Sequence, residues 1–94
     1  MALEFEWDSA KAASNLAKHG VGFEEAVTVF DDPLSITVTD PDHSLREVRL
    51  VIFGRSSGAR LLAVMHTERG ERIRIISARE ATRAERDAYE EKTF

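Results

Sequence analysis

Four arginines, one histidine and two glutamates are concentrated in the stretch HTERGERIRIISAR, residues 66–79. The planar guanidinium group of arginine binds phosphate through paired hydrogen bonds, so a cluster of arginines indicates an anion-binding surface. His66 has an unperturbed pKa of about 6.5, which suits proton transfer at neutral pH, and a desolvated Glu68 is a second candidate for that role. These residue types therefore predict an anion-binding site with a general base beside it.

The turn residues of this stretch predict a β-hairpin that brings the charged side chains together. The sequence TERGE suits a three-residue loop that Gly70 closes in the left-handed conformation. Residues directly opposite each other share a face of the sheet. One face would then carry His66, Arg72 and Arg74, with Glu68 and Arg69 at the tip, and the other face would carry Met65, Ile73 and Ile75 under the helices. A shift of one residue in the pairing would separate these groups.

The arginines of this hairpin also fit a purely structural role. Exposed arginines and glutamates often form weak ion pairs on a solvated strand face. Arg72 and Arg74 have Glu47, Glu68 and Glu71 as candidate partners in such a role. The residue pattern leaves the anion-binding and the structural interpretations open.

One strand and two helices are predicted in the first third of the chain. Residues 4–7, EFEW, alternate polar and apolar side chains and predict a short strand. Asp8 or Ser9 can cap a helix over SAKAASNLAKH, which Gly20 ends. The next segment, VGFEEAVTVFDDP, spaces its apolar residues as one helical face, and its proline stops the helix. That face consists of Phe23, Ala26, Val27 and Phe30.

The rest of the chain predicts a sheet and a closing helix. Alternating side chains indicate four strands, SITVT, REVRLVIF, RLLAVMHT and RIRIIS, joined by the turns DPDHSL, GRSSGA and ERGE. Consecutive hairpins form an antiparallel meander. Thr82 and Glu85 form a capping box that begins a short helix. Residues 1–94 are thus predicted to be one α+β domain of order β-α-α-β-β-β-β-α, an antiparallel sheet with an N-terminal helical hairpin and a short C-terminal helix.

The composition narrows the classes of function. The net charge of −4 and the pI of about 5.3 argue against a protein that coats nucleic acid, so any nucleic-acid contact would need a local patch. The chain has no cysteine, and His19, His43 and His66 lack the spacing of a metal motif, so we expect no metal and no other cofactor. The first residues lack a signal-peptide pattern and no stretch is apolar enough to span a membrane, from which we expect a cytoplasmic protein without membrane contact.

Two long segments resemble the BrnT family of type II toxins. They are FEWDSAKAASNLAKHGVGFEEAVTVFDDP and ARLLAVMHTERGERIRIISAREATRAERDAYEE, which together cover nearly the whole chain. The resemblance implies a RelE-like fold and a metal-independent ribonuclease that inhibits translation. It also implies a BrnA-type antitoxin with a ribbon-helix-helix DNA-binding region, in a complex of two toxin and two antitoxin chains. Operator DNA would be contacted only through that antitoxin.

The same resemblance implies roles for the charged residues in RNA cleavage by a neighbouring 2′-hydroxyl. Such a reaction needs a base for the hydroxyl proton and cations for the crowded phosphate. The catalytic candidates are Arg72 and Arg74 as a phosphate clamp, Arg69 or Arg79 as a further cation, and His66 or Glu68 as the base. Lys18 and His19, at the end of the first predicted helix, are candidates for substrate binding.

A non-catalytic function is the alternative. The arginines could hold RNA or an acidic antitoxin segment without cleaving it, and a degenerate toxin could act only as the corepressor of its own operon. The family often has a basic residue after SAR, where this chain has Glu80. That difference removes a positive charge beside Arg79.

Overall fold

The computed structural model describes residues 3–40, 42 and 47–92, and these residues form one five-stranded sheet with helices on both faces. The elements are, in chain order, β1 (Glu4–Glu6), α1 (Ser9–His19), α2 (Phe23–Ala26), a 3₁₀-helix (Val27–Asp31), β2 (Ile36–Thr39), β3 (Arg49–Arg55), β4 (Leu61–Arg69), β5 (Arg72–Glu80) and α3 (Arg83–Glu91). This order confirms the predicted α+β succession. Most of the predicted turn DPDHSL, including His43, and the predicted strand start at Arg46 lie outside the described residues.

Local capping interactions set the ends of the helices. The Asp8 carboxylate accepts hydrogen bonds of 2.8 and 3.1 Å from two backbone N–H groups of the first turn of α1. Gly20 ends that helix with a φ of 69°. Thr82 and Glu85 form both hydrogen bonds of the capping box at α3. These local predictions are confirmed, and none of the described helices is long and apolar enough to cross a membrane.

The second predicted helix is shorter than its sequence pattern indicates. The α-helix has only four residues, and the chain then tightens into a 3₁₀-helix. Phe23 and Ala26 are buried as expected, but Val29 is also buried whereas Val27 and Phe30 are half-buried. A 3₁₀-helix has three residues per turn instead of 3.6, so the apolar face rotates within this segment.

The sheet has the strand order β1-β5-β4-β3-β2, in which only β1 runs parallel to its neighbour. The segments α1 and α2 cover one face, here termed the helix face. Its buried side chains are Ile52, Leu62, Val64, Ile75 and Ala78. On the opposite face, Tyr89 of α3 packs against Phe53, Leu61 and Ala63. The antiparallel meander from β2 to β5 is confirmed.

The loop between β4 and β5 is shorter than predicted. Arg69 pairs with Arg72, which leaves a two-residue loop of Gly70 and Glu71 in place of a three-residue loop. Gly70 has a φ of 61° and occupies the first loop position, where a type II′ turn requires a positive φ. The short loop therefore changes the pairing of every residue in the hairpin.

The new register moves His66 to the helix face, so the prediction that it shares a face with Arg72 and Arg74 is wrong. His66 pairs with Ile75, and it is only 3% exposed. Its ring lies 4.9 Å from the ring of Phe30 in a T-shaped arrangement, and its Nδ1–H donates to a backbone carbonyl oxygen at 3.1 Å. Burial lowers the pKa of His66, because a charged imidazolium would lose its hydration there.

A β-bulge in β5 changes which side chains face the core further along the strand. The register shifts between Met65 and His66, which leaves Ile76 as an extra residue in β5. The extra residue reverses the alternation of side chains beyond it. Ala78 therefore enters the core of the helix face, and Arg79 lies on the opposite face.

Replacing His66 by leucine is expected to make folding stability less sensitive to acid. The pKa of folded His66 lies below the unfolded value of about 6.5, so the unfolded chain binds a proton more readily. The stabilising contribution is complete above the unfolded pKa and is lost as the pH falls through the lowered folded pKa. The free energy of unfolding, measured by urea denaturation from about pH 7 to about pH 5, should fall more steeply in the parent than in His66→Leu.

The control for this measurement is His19→Gln, which removes an exposed histidine. The slope of this variant shows what the removal of a histidine does when the buried ring is kept. Equal slopes for the parent and His66→Leu would contradict a buried, neutral His66.

Candidate functional site

The strands carry six arginines on the sheet face opposite the helix face, here termed the arginine face. Its members are Arg49, Arg55, Arg69, Arg72, Arg74 and Arg79. Thr67 pairs with Arg49 on one side and with Arg74 on the other, so a row of these residues crosses three strands. The structure thus brings the four arginines singled out from the sequence to one face.

The carboxylates of β1 contact the two central arginines. Arg74 Nη1 lies 3.1 Å from Glu6 Oε2, and Arg72 Nη1 lies 3.7 Å from Oε1 of the same carboxylate. Arg72 Nε also lies 3.4 Å from Glu4 Oε2. Parallel pairing explains these contacts, because it sets Glu4 beside Arg72 and Glu6 beside Arg74. One carboxylate is therefore within reach of two guanidinium groups at once.

These partners differ from the ones expected from the sequence. Within the described part of the chain, no ion pair involves Glu68 or Glu71, and Glu47 lies 3.7 Å from Arg69. The Glu-Phe-Glu of β1 alternates in the same way as the Arg-Ile-Arg of β5. Matching these two alternating segments in a parallel alignment is the sequence signal that would have found the pairs.

Arg79 is held in a structural contact with the last helix. Its Nη1 and Nη2 donate to the two carboxylate oxygens of Glu85 at 2.7 and 3.0 Å. These hydrogen bonds raise the pKa of Arg79 and lower the pKa of Glu85, since each charge stabilises the other. Because Glu85 also completes the capping box, Arg79 ties β5 to the start of α3.

Neither of the general bases predicted from the sequence lies on the arginine face. His66 is buried on the helix face, and Glu68 pairs with Ile73 on that same side of the sheet, although its side chain is exposed. The carboxylates beside Arg72 and Arg74 are those of Glu4 and Glu6. The Glu6 side chain is 28% exposed and that of Glu4 is 67% exposed, so Glu6 is the better held of the two.

A concavity of about 230 Å³ lies on the arginine face. It is lined by Asp40, Arg49, Met65, Ile76 and Ser77. Met65 and Ile76 provide an apolar surface, while the other side chains provide a cation, an acid and a hydroxyl. An anion held by the arginines of β5 would have this recess beside it for the group attached to the anion.

A second groove, here termed the α1 groove, lies between α1 and β5 and has a volume of about 180 Å³. Its side chains from α1 are Lys11, Ser14, Asn15, Lys18 and His19. Ile76 and Ser77 of β5 line both this groove and the concavity. Lys18 and His19 therefore lie next to the arginine face and not on it.

Several residues of the arginine face and the α1 groove were missed by sequence reasoning. They are Glu4, Glu6, Lys11, Asp40, Arg49 and Ser77. Most of them come from segments far from the arginine-rich stretch, so only strand pairing and helix packing reveal them. In the part of the chain that the structure describes, no group of three or more histidine, aspartate or glutamate side chains is arranged to hold a metal ion.

The sequence and the fold can be compared with those of known proteins. The family model described as "Ribonuclease toxin, BrnT, of type II toxin-antitoxin system" matches residues 7–85. The 1.1 Å crystal structure of the Brucella abortus ribonuclease toxin BrnT is similar with a TM-score of 0.64 and 25% identity, over 87% of this chain and 100% of that chain. A comparison with curated proteins finds no match. Because the family model matches most of the sequence, the chain belongs to the BrnT family of ribonuclease toxins of type II toxin–antitoxin systems.

Proposed function

We propose that this chain cleaves RNA on the arginine face without a metal ion and thereby inhibits translation in the cytoplasm. The observation that supports this most directly is the Glu6 carboxylate, which Arg72 and Arg74 contact together. A phosphate group resembles a carboxylate in charge and in its planar pairs of oxygens, so the same two guanidinium groups suit a phosphodiester. The neighbouring concavity would receive the attached nucleoside.

The arginines can hold a phosphate while they keep their contacts with β1. Each guanidinium group has five N–H donors. Arg74 uses Nη1 for Glu6, and Arg72 uses Nε and Nη1 for Glu4 and Glu6. The remaining donors would bind the phosphate beside Glu6 and stabilise the negative charge that grows on it in the transition state.

The position of Glu6 suits it to be the general base, in place of His66 and Glu68. In the proposed reaction, the Glu6 carboxylate takes the proton of the 2′-hydroxyl as the 2′-oxygen attacks phosphorus. The bond from phosphorus to the 5′-oxygen then breaks, and water supplies the proton that the leaving 5′-oxygen takes up. The products are a 2′,3′-cyclic phosphate and a free 5′-hydroxyl.

We also propose that the antitoxin of this toxin is of the BrnA type, with a ribbon-helix-helix region that binds operator DNA. The expected complex has two copies of each chain, and DNA is contacted through the antitoxin alone. The net charge of −4 supports this division of roles, because an acidic toxin gains little from contact with DNA by itself.

The ion pairs of the arginine face favour a second candidate function. Arg69, Arg72 and Arg74 already have carboxylate partners, so the face can persist without a substrate. A chain of this kind could bind an antitoxin and act as a corepressor without cleaving RNA. The two functions differ in whether the purified chain turns over RNA.

Removing the clamp is expected to abolish metal-independent cleavage. The purified chain without antitoxin is incubated with single-stranded RNA in EDTA, beside Arg72→Ala/Arg74→Ala and the control Arg83→Ala/Arg86→Ala. The control removes the same charge from α3. Loss of one preorganised charge donor typically lowers the rate by about 10²–10³-fold, and the clamp variant loses two. Fragments ending in 2′,3′-cyclic phosphate should form with the parent and the control only.

Two results of this assay count against the proposal. Equal cleavage by the clamp variant and the parent would show that other residues, or a contaminant, carry the activity. No cleavage by any folded chain, together with antitoxin binding that depends on the two arginines, would favour the corepressor.

Replacing Glu6 by glutamine tests the assignment of the base. Glutamine keeps a side-chain oxygen for Arg74 but cannot take up the proton, so the cleavage rate should fall by about 10²–10⁴-fold while RNA binding is retained. The matched control is Glu4→Gln, which removes the more exposed carboxylate of β1 and should change the rate little. A Glu6→Gln chain that cleaves as fast as the parent, or faster, would show that Glu6 is not the base and serves only as a counterion of the clamp.

A further inference from the structure

We propose that the α1 groove is a second phosphate-binding subsite, so that bound RNA crosses the open edge of β5 from the arginine face to Lys11 and Lys18. The inference rests on the proposed ribonuclease function, because it extends the path of the same substrate. It concerns a phosphate away from the bond that is cleaved, and it gives Lys11 a role that the sequence did not indicate.

The edge of β5 is open to the groove because β1 is short. β1 pairs only with residues Arg72–Arg74. Further along, the Asn15 side chain takes the place of a strand, since its Nδ2 donates to the Ala78 carbonyl oxygen at 2.8 Å and its Oδ1 accepts from the Ala78 N–H at 3.1 Å. Ile76 and Ser77 lie between these two covered stretches and line both cavities. A strand that leaves the concavity over this edge therefore enters the α1 groove.

The polar groups of the groove suit a phosphate. Lys11 and Lys18 are separated by two helical turns, so both side chains lie on the side of α1 that faces β5, with the Ser14 hydroxyl between them. Among the residues that the structure describes, those that line the groove include no carboxylate. The carboxylate of Asp8 does act on Lys11 electrostatically, but it is already bonded to two N–H groups of the helix.

The two cationic regions differ in the partners that they have within the protein. Arg72 and Arg74 share carboxylates of β1, whereas the ion pairs among the described residues include neither Lys11 nor Lys18. A cation outside an ion pair is available to neutralise a phosphate and to release counterions from a nucleic acid. The α1 groove should therefore supply a large share of the attraction for RNA, although the clamp performs the chemistry.

RNA fits the groove better than an acidic segment of the antitoxin. Ile76 and Ser77 line both the groove and the concavity, and the concavity lies on the same sheet face as the proposed site of the cleaved bond. A nucleic-acid backbone presents one phosphate for every nucleotide, so a strand held at the clamp carries further phosphates over the edge. The clamp and α1 place cations on both sides of this edge for those phosphates.

The experiment compares the salt dependence of RNA binding for chains with and without the two lysines. An RNA of about 12 nucleotides with methylated 2′-hydroxyls binds but cannot be cleaved, and fluorescence anisotropy gives its Kd. The test variant is Lys11→Gln/Lys18→Gln, and the control Arg83→Gln/Arg86→Gln removes two charges from α3. Each phosphate contact to a single strand contributes about 0.7 to the slope of log Kd against log salt, so the lysine variant should lose about 1.4.

Further variants separate the loss of charge from damage to the helix. Each single lysine variant should lose about 0.7 of the slope, and Lys11→Arg/Lys18→Arg should keep the full slope because it keeps both charges. The control should also keep the slope of the parent. An unchanged slope in Lys11→Gln/Lys18→Gln overturns the proposal, as does a parent chain that does not bind this RNA. Weaker antitoxin binding with an unchanged RNA slope would assign the groove to the protein partner.

Cleavage of unmodified RNA, measured in parallel, distinguishes this proposal from the ribonuclease proposal. Cleavage by the parent together with an unchanged slope in the lysine variant refutes only the second subsite. A reduced slope without cleavage by any chain supports the RNA path and refutes the ribonuclease. The two proposals therefore fail by different observations.

Discussion

The β-bulge at Ile76 is the constraint on which the arrangement of both faces depends. Side chains alternate along a strand, and in an unbroken β5 the side chain of Ser77 would follow Ile73 and Ile75 into the core. The extra residue reverses the alternation, so the apolar Ala78 enters the core in its place. The same reversal adds the polar side chains beyond the bulge to the arginine face. The bulged residue also lines both the concavity and the α1 groove. The same bulge therefore completes the core and shapes the surface between these two cavities.

Carboxylates of the protein itself balance the positive charge of the arginine face. A cluster of arginines is therefore compatible with a chain of negative net charge. Glu4 and Glu6 stand beside Arg72 and Arg74 because β1 pairs in parallel with β5. The Arg72 and Glu4 side chains are 60% and 67% exposed, and an ion pair this exposed contributes only about 0–1 kcal/mol. An incoming phosphate can therefore rearrange this pair at small cost. The balance also limits non-specific attraction, so in the proposed function the affinity for RNA depends on geometry at the clamp and on cations outside it.

The features that could be predicted from the sequence are local ones. The caps at Asp8, Gly20 and Thr82 each depend on residues within one turn of a helix. The order of elements follows from the spacing of apolar residues and from the turn residues. The hairpin register could not be predicted in this way, because TERGE permits both a two-residue and a three-residue loop, and an odd offset exchanges the faces. That is why His66 was assigned to the wrong face. The partners of the clamp were hidden for another reason, since β1 and β5 lie at opposite ends of the chain.

Glu80 stands where the resemblance leads us to expect a basic residue, and it does not act on the arginine face. It pairs with Leu62 across the strands, and its carboxylate lies 3.8 Å from Nη1 of Arg60. Arg60 is also hydrogen-bonded to Glu25, so Glu80 extends an ion-pair network that joins the sheet to α2. The neighbouring Arg79 donates hydrogen bonds to Glu85 of α3. A basic residue at this position would therefore add its charge on the side of the strand away from the clamp. The departure changes a structural contact, and it gives no physical reason to expect an inactive clamp.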